Sequence, residues 1–191
     1  MQADLAGISF SASPGRAWYV PMNADPLVLP GGTPAILKHL APLLTSPELE
    51  RTAQNAKYDW LIFAHHGLRL PPPDFDTMVA SFCAAGSKRR HNLDELALVF
   101  FDLKKIPTSE IIGSGKSQVT MAEVSIEIVA EYACEDADTT FRLRAPLEAE
   151  LKQAGTEALF YELEMPLIPV LAAMEERGIR LATPQPELLA D

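Results

Sequence analysis

The fold is constrained most by where strand-like and helical patterns fall along the chain. Two short runs near the start, Leu5–Ser11 and Gly15–Val20, carry strand-like residues on either side of Ser13-Pro14-Gly15. They predict a β-hairpin with a loop slightly longer than the tight two-residue kind. Later segments show apolar residues at helical spacing, so most of the remaining chain is predicted to be helical. Together the two patterns favour an α/β domain.

The predicted helices follow from capping signals and apolar stripes. A helix over Ala35–Leu44 is expected after Thr33-Pro34, an N-cap followed by proline at the first helical position. A second is expected from near Asn55 to Gly67. Pro107–Ser117 is expected to be a polar loop. Further helices are predicted over residues 78–85, 92–101, 121–142, 145–156 and 157–176, the last restarted or kinked at its prolines.

Composition limits the class of protein. The 191 residues suffice for one domain, or for one domain and part of another. A formal charge of -10 excludes a broadly basic surface that coats nucleic acid, although a local grip through metal ions and a few basic residues is compatible with it. The two cysteines, Cys83 and Cys134, are too few for a disulfide scaffold and fit a reducing cytosol. No apolar run reaches the length of a membrane helix, so no membrane partner is expected.

Two pairs of polar residues have the spacing of one helical turn. Asn55 lies four residues before Asp59, and Tyr132 lies four residues before Asp136. Residues spaced in this way share one face of a helix. A carboxylate can then hold a hard divalent cation while its neighbour orients a nucleophile or the substrate. Such pairs are also common on solvated helix faces, so the spacing alone leaves both interpretations open.

The sequence around both pairs resembles a known family. The segments QNAKYDWLIFAHHGL, FDTMVASF, RRHNLDELA and EYACEDADTTFRL, in this order, are similar to the proofreading 3′→5′ exonuclease domain of bacterial DNA polymerase I, a family A DNA polymerase. Its second motif, N-x-x-x-D, is matched by Asn55 and Asp59, and its third, Y-x-x-x-D, by Tyr132 and Asp136. The segment Glu164–Leu171 resembles the start of the polymerase domain.

The resemblance implies a fold and a domain division. It implies a ribonuclease-H-like mixed sheet flanked by helices, with the exonuclease domain over residues 1–155. Residues 156–191 would be the linker and first helix of the polymerase domain. The family's first motif, D-x-E on the first strand, is absent from the 191 residues, and Asp4 lies where the family enters its next strand. The chain is therefore expected to lack that strand, and to be a fragment of DNA polymerase I with negligible exonuclease activity by itself.

The resemblance also implies a mechanism, the two-metal hydrolysis of 3′-terminal DNA phosphodiesters with Mg²⁺ or Mn²⁺. Asp59 and Asp136 would be catalytic metal ligands. Tyr132 would be a catalytic residue that orients the attacking water, since a phenol of ordinary pKa is a poor base at neutral pH. His65-His66 and the Cys134 thiol lack the partners that a metal site or a nucleophile needs.

DNA contacts are expected to be few and local, with the 3′ end of single-stranded DNA and the remainder of the polymerase chain as partners in the cytoplasm. For Lys88 and Arg89 a solvated loop is an equal alternative, and Asp76 is expected to cap the following helix. The resemblance implies that the DNA-binding residues are Gln54, Asn55, Lys57 and Arg90, and Lys104, Lys105 and Lys116 are weaker candidates.

Other functions stay open from the sequence. One is a ribonuclease of the same exonuclease superfamily, against which the polymerase-like segment argues. Another is a non-enzymatic domain that supports a polymerase or holds single-stranded DNA. A third is a free-standing small protein that never had the first strand.

Overall fold

A computed structural model of the chain describes residues 5–22 and 30–180. Within these ranges seven α-helices surround two pairs of strands, an antiparallel hairpin and a separate parallel pair. No helix in the described part of the chain has both the length and the hydrophobicity needed to cross a membrane. Asp4 and the end of the predicted polymerase segment, residues 181–191, lie outside the described residues. The α-helices are α1 (Gly32–Leu44), α2 (Ala56–His65), α3 (Thr77–Ala85), α4 (Leu93–Phe101), α5 (Thr108–Ile112), α6 (Ile126–Ala154) and α7 (Met165–Arg177).

The predicted hairpin is confirmed, with a tighter turn than expected. Strands β1 (Gly7–Ser13) and β2 (Arg16–Pro21) pair antiparallel. Ser13 faces Arg16, which leaves a two-residue loop in which Gly15 adopts a φ of 74°. The prediction of a longer loop was wrong because an irregularity between Ser11 and Ser13 takes up the extra residue within the strand.

A second strand pair has the opposite sense. Strands β3 (Thr52–Ala53) and β4 (Phe75–Asp76) pair in parallel, and α2 forms the crossover between them. Antiparallel and parallel pairing therefore both occur in the described residues, as a mixed α/β fold requires. Each strand pair forms a separate two-stranded sheet in this part of the chain.

Helix α6 is the central element of the fold. It contacts both strands of the hairpin as well as α3 and α4. The two predicted helices over residues 121–142 and 145–156 are one helix, which continues through Pro146. Proline removes only one backbone donor, and the fully buried stripe of Leu143, Leu147 and Leu151 keeps the helix packed on both sides of it.

Two apolar clusters hold these elements together. Beneath the hairpin, Ile8 and Phe63 pack with residues of α1. The larger cluster joins α6 to Phe75 and to the segment after α6, where Phe160 and Met165 are buried. A π-helical segment, Leu159–Glu164, leads directly into α7, and the change of helix type lies next to Pro166, one of the two prolines at which a kink or restart was predicted. The prediction was wrong for Pro169, which lies inside α7.

Two local predictions were wrong. Helix α1 begins after Gly31, which adopts a φ of 93°, and Thr33 lies inside the helix and does not cap it. The segment Pro107–Ser117, predicted to be a loop, contains the short helix α5 and a 3-10 turn over Gly115–Ser117. Further 3-10 turns cover Gly86–Lys88 and Met121–Glu123.

Candidate active site

The position of the first pair, Asn55 and Asp59, is set by the buried carboxylate of Asp76. Asp76 is 1% exposed and lies at the end of β4, where it caps α3 as predicted. It also accepts hydrogen bonds from the first residues of α2, so one carboxylate fixes the start of two helices. Its four donors are the backbone amides of Asn55 at 3.3 Å, Ala56 at 2.7 Å, Met78 at 2.9 Å and Val79 at 3.2 Å.

Asn55 directs the chain into α2 through a left-handed conformation. Its φ is 60° and its ψ is 48°, a region that asparagine tolerates better than most residues other than glycine. Asp59 follows in the first turn of α2. The family's N-x-x-x-D motif is thus a helix-entry residue followed by a carboxylate one turn later.

Asp59 lies beside a crevice of about 300 Å³ between β1 and α2. Leu5, Ile8 and Phe63 supply much of the apolar lining of this crevice. The pKa of Asp59 is raised to about 7. The main cause is desolvation of the carboxylate by the surrounding protein atoms, and the negative charge of Asp76 is the second cause. Asp59 also keeps an exposed surface, so water reaches it and moderates the shift. The raised pKa favours the protonated acid.

Asp136, on α6, has the opposite environment. Its carboxylate pairs directly with the ammonium of Lys105, which is 1% exposed. Burial disfavours the charged ammonium, but the hydrogen bond to Asp136 and the surrounding carboxylates outweigh it and raise the pKa of Lys105. Burial also raises the pKa of Asp136, against the effect of Lys105. Because three carboxylates surround the one ammonium, Lys105 stays protonated and positively charged.

Tyr132 lies one turn before Asp136 on the same helix. Its hydroxyl shares a hydrogen bond of 2.9 Å with Oγ1 of Thr108 at the start of α5. Burial raises the pKa of Tyr132, which keeps the phenol protonated at neutral pH. It can therefore donate or accept a hydrogen bond but cannot serve as a strong base.

The predicted DNA-binding residues have different surroundings. Gln54 donates to the backbone carbonyl of His91 at 2.8 Å and also bonds the Thr77 hydroxyl, so it joins two parts of the fold. Lys57 pairs with Glu175 of α7. Arg90 is exposed at the surface before α4.

Two basic residues have structural roles that the sequence did not indicate. Arg89 forms a two-pronged ion pair with Glu150 of α6, at 3.0 and 2.6 Å, and its Nε donates to Ser81 Oγ at 2.9 Å. A solvated loop is therefore the wrong interpretation of Arg89, since its side chain joins α3 to α6. Lys105 was a weak DNA candidate and is instead enclosed among carboxylates.

These residues do not form a two-metal centre as they are arranged. In the described residues no group of three or more histidine, cysteine, aspartate or glutamate side chains could hold a metal ion. The charged neighbour of Asp59 is Asp76, whereas the neighbours of Asp136 are Lys105 and Asp94. Two carboxylates, one of them already paired with an ammonium, do not meet the ligand requirement of Mg²⁺ or Mn²⁺.

Comparison with known proteins decides which family this arrangement represents. The family model described as 3′-5′ exonuclease matches residues 1–152, a range that contains both polar pairs. The chain belongs to this 3′-5′ exonuclease family. Members of the exonuclease family are in general dependent on divalent metal ions.

The individual relatives agree with the family. The chain is 36% identical over 182 residues to DNA polymerase I of Pseudomonas aeruginosa, which covers 93% of this chain and 20% of that protein. The chain thus spans about a fifth of the length of the curated relatives it matches first. The resemblance to the exonuclease domain of DNA polymerase I is confirmed.

A solved structure supports the fold. The POL domain of Pol1 from M. smegmatis, in complex with DNA primer-template and dNTP, superposes with a TM-score of 0.71 at 20% identity. The match covers 92% of this chain and 26% of that one. It confirms the predicted ribonuclease-H-like α/β fold class.

Sequence reasoning found both polar pairs but missed the residues that set their environment. Lys105 and Lys104 are adjacent lysines that sequence does not distinguish, and only the fold buries the first and exposes the second. For Asp76, the capping role was predicted for α3, but its bonds to α2 span 20 and 21 residues and have no local signal.

Proposed function

We propose that this chain provides part of the active site of a proofreading 3′→5′ exonuclease that removes nucleotides from the 3′ end of single-stranded DNA. The observation that carries the proposal is the family match over residues 1–152 together with the two polar pairs, each in the first or middle turns of a helix. In this proposal Asp59 and Asp136 are metal ligands, and Tyr132 orients the attacking water.

The properties of the three side chains support these roles. Asp59 is an exposed residue beside a crevice, so it can accept a cation in place of a proton. Asp136 already binds a cation, the Lys105 ammonium. Tyr132 stays protonated and hydrogen-bonded, as a residue that orients water should. Further acidic ligands, of the D-x-E kind that the 191 residues lack, are needed for a complete metal site.

For DNA binding we propose Asn55, Lys57 and Arg90 as contacts, with Gln54 as a residue of the cleft wall. Arg90 is exposed, and Asn55 lies at the entry of α2, next to the turn that bears Asp59. Lys57 would exchange Glu175 for a phosphate when DNA binds. Because the protein carries a formal charge of -10, such contacts should be few and sensitive to salt.

We further propose that residues 156–191 connect the exonuclease domain, residues 1–155, to a polymerase domain in a DNA polymerase I of the cytoplasm. The relatives are about five times as long as the matched region, which supports this arrangement. Phe160, Met165 and Ile168 share one buried cluster with α6, so the connecting segment is packed against the domain.

The proposal is tested by a nuclease assay on a 3′-labelled single strand at saturating Mg²⁺. We expect negligible release of nucleotides by the 191-residue chain, and release by a chain extended at its N-terminus with a strand carrying D-x-E. In the extended chain Asp59→Ala and Asp136→Ala should each lower the rate by orders of magnitude, because each removes a cation ligand. Tyr132→Phe should cost less, because it removes one orienting hydrogen bond.

Circular dichroism should show that every variant is folded. Strong activity of the 191-residue chain that Asp136→Ala abolishes would contradict the predicted incompleteness of the site. Full activity of the extended chain with both aspartates replaced would contradict the exonuclease proposal. If Tyr132→Phe were as damaging as Asp136→Ala in a folded protein, the assigned roles would be wrong.

A ribonuclease is the second candidate. Ribonuclease D of Shewanella sp. is 30% identical to the chain over 140 residues, which cover 72% of this chain and 32% of that protein. The same assay with an RNA strand of identical sequence separates the two functions. We expect the extended chain to degrade DNA faster, and a clear preference for RNA would favour the ribonuclease.

A further inference from the structure

Lys105 has an environment that is unusual for a lysine. Among the described residues it is the one buried lysine or arginine. Its ammonium pairs with Asp136, and carboxylate oxygens of Asp94 and Glu135 each lie 3.7 Å away. A buried charge is stable only when it is paired and hydrogen-bonded, and here three carboxylates from two helices, α4 and α6, supply that pairing.

The backbone around Lys105 is fastened to α6, so the ammonium has a fixed position. The amide of the next residue, Ile106, donates to Oε2 of Glu135 at 2.9 Å. Thr108 bonds the Tyr132 hydroxyl at 2.9 Å, and the Lys105 ammonium lies 5.3 Å from the centre of the Tyr132 ring. The segment from Lys105 to Thr108 therefore contacts both functional residues of α6.

This position conflicts with metal binding. An ammonium and a divalent cation that both contact the Asp136 carboxylate would compete for its oxygens and repel each other. We infer that Lys105 is an internal counter-ion that competes with divalent cations for Asp136, so that a metal ion binds this carboxylate only when the ammonium moves away. The inference rests on the proposed function, in which Asp136 is a metal ligand.

Lys105 is in this sense a positioning residue, since it acts through Asp136. While the acidic ligand set is incomplete, the ammonium compensates the charge of Asp136 and holds segment 105–108 against α6. Additional acidic ligands would add negative charge around a metal ion. Asp136 would then bind the divalent cation in preference to the Lys105 ammonium. The strength of the Lys105–Asp136 pair would then set the metal concentration at which the site fills.

The test measures Mn²⁺ binding with isothermal titration calorimetry and electron paramagnetic resonance, without DNA, on the chain extended at its N-terminus with a strand carrying D-x-E, because the described residues alone do not supply enough ligands for the ion. Lys105→Met keeps the length of the side chain and removes its charge. We expect this variant to bind Mn²⁺ at least about tenfold more tightly than the unaltered chain, because the competing cation is gone. Lys104→Met, which removes the same charge from the exposed neighbour, should leave the affinity unchanged. The double variant Lys105→Met/Asp136→Asn should lose the gain.

Equal Mn²⁺ affinities for the unaltered chain and Lys105→Met would overturn the inference, as would a gain that survives in the double variant. If Lys105→Met does not fold, the unaltered chain provides the test through the nitrogen signal of the Lys105 ammonium in nuclear magnetic resonance. We expect saturating Mg²⁺, which is diamagnetic, to shift this signal as the ammonium leaves Asp136, and a signal that is unchanged while Mg²⁺ is bound would overturn the inference. Because neither experiment uses a substrate, failure here is distinct from failure of the nuclease assay.

Discussion

The two halves of the candidate site, Asn55–Asp59 on α2 and Tyr132–Asp136 on α6, share one spacing and differ in their charge. Asp136 is compensated by an ammonium. Asp59 faces another carboxylate, Asp76, and its raised pKa favours a proton as the compensating cation. Each half thus lowers its negative charge without a metal ion, by different chemistry. The comparison teaches that a four-residue spacing fixes which side chains share a helix face but leaves their protonation and pairing to the tertiary surroundings.

The halves also differ in how they are anchored. The α2 half depends on one buried carboxylate, because Asp76 accepts four backbone hydrogen bonds at the start of α2 and α3. The α6 half lies within a 29-residue helix whose buried leucines pack along the main core. Replacement of one residue should therefore damage the α2 half more.

The largest effect is expected from Asp76→Ala. Loss of the acceptor leaves buried amides of two helices without partners, so the free energy of unfolding should fall by about 3 kcal/mol or more. Asp74→Ala is the matched control, since the exposed Asp74 accepts one backbone bond, from Arg51 at 2.7 Å, and should cost about 1 kcal/mol. Urea denaturation measures both, and equal losses would contradict the proposed anchoring of the α2 half.

The next effect concerns the α6 half. Lys105→Met leaves Asp136 without its ammonium, and we expect a loss of about 2 kcal/mol in the free energy of unfolding without divalent cations. Lys104→Met should change stability by less than about 0.5 kcal/mol, because that side chain is exposed. Thermal and urea unfolding in a chelator check the difference. If Lys105→Met left the free energy of unfolding unchanged, the ion pair between Lys105 and Asp136 would contribute nothing to stability.

Two matched variants, Asp59→Asn and Asp136→Asn, test the electrostatic difference between the two halves of the site. Asp59 has a pKa of about 7 in the folded chain against an ordinary 3.8, so the folded state holds its proton more tightly. The resulting stability is present below pH 3.8 and is lost as the pH rises to about 7. Asp59→Asn should therefore stabilise the chain at about pH 8, by roughly 1 kcal/mol after allowance for solvent screening of this exposed group.

Asp136→Asn should do the opposite at that pH, because it leaves the buried Lys105 ammonium without its closest partner. At about pH 4 the effect of Asp59→Asn should largely vanish, since the native carboxyl is then protonated in the folded state. Denaturant titrations of the three proteins at both pH values measure these changes. Destabilisation by both variants at about pH 8 would contradict the difference between the halves.

The smallest effect is expected at Tyr132. Tyr132→Phe removes a hydroxyl that bonds both Thr108 and Asp136, and should lower the free energy of unfolding by about 0.5 to 1 kcal/mol. Thr108→Val removes only the bond between Thr108 and Tyr132 and should cost about 0.5 kcal/mol. A larger loss for Thr108→Val than for Tyr132→Phe would contradict these two partners of the hydroxyl.

The features that depend on local sequence pattern could be predicted from the sequence. The hairpin, α1 to α4 and the helix restart before α7 follow from strand runs, apolar spacing and prolines, and the family follows from motifs in fixed order. The remaining features depend on contacts between distant residues. Arg89 meets Glu150 across 61 positions, and Asp136 meets Lys105 across 31. Local pattern likewise could not show that a buried leucine stripe carries α6 through Pro146.

The most direct test of the central claim, that Asp59 and Asp136 are ligands of one metal centre, is a crystal structure with Mn²⁺. The crystals would contain the chain extended with a D-x-E strand, and anomalous scattering would locate the metal. The account predicts Mn²⁺ bound to carboxylate oxygens of Asp59 and Asp136, with the Lys105 ammonium moved away from Asp136. Mn²⁺ bound by the added strand alone, with Lys105 still paired to Asp136, would contradict it.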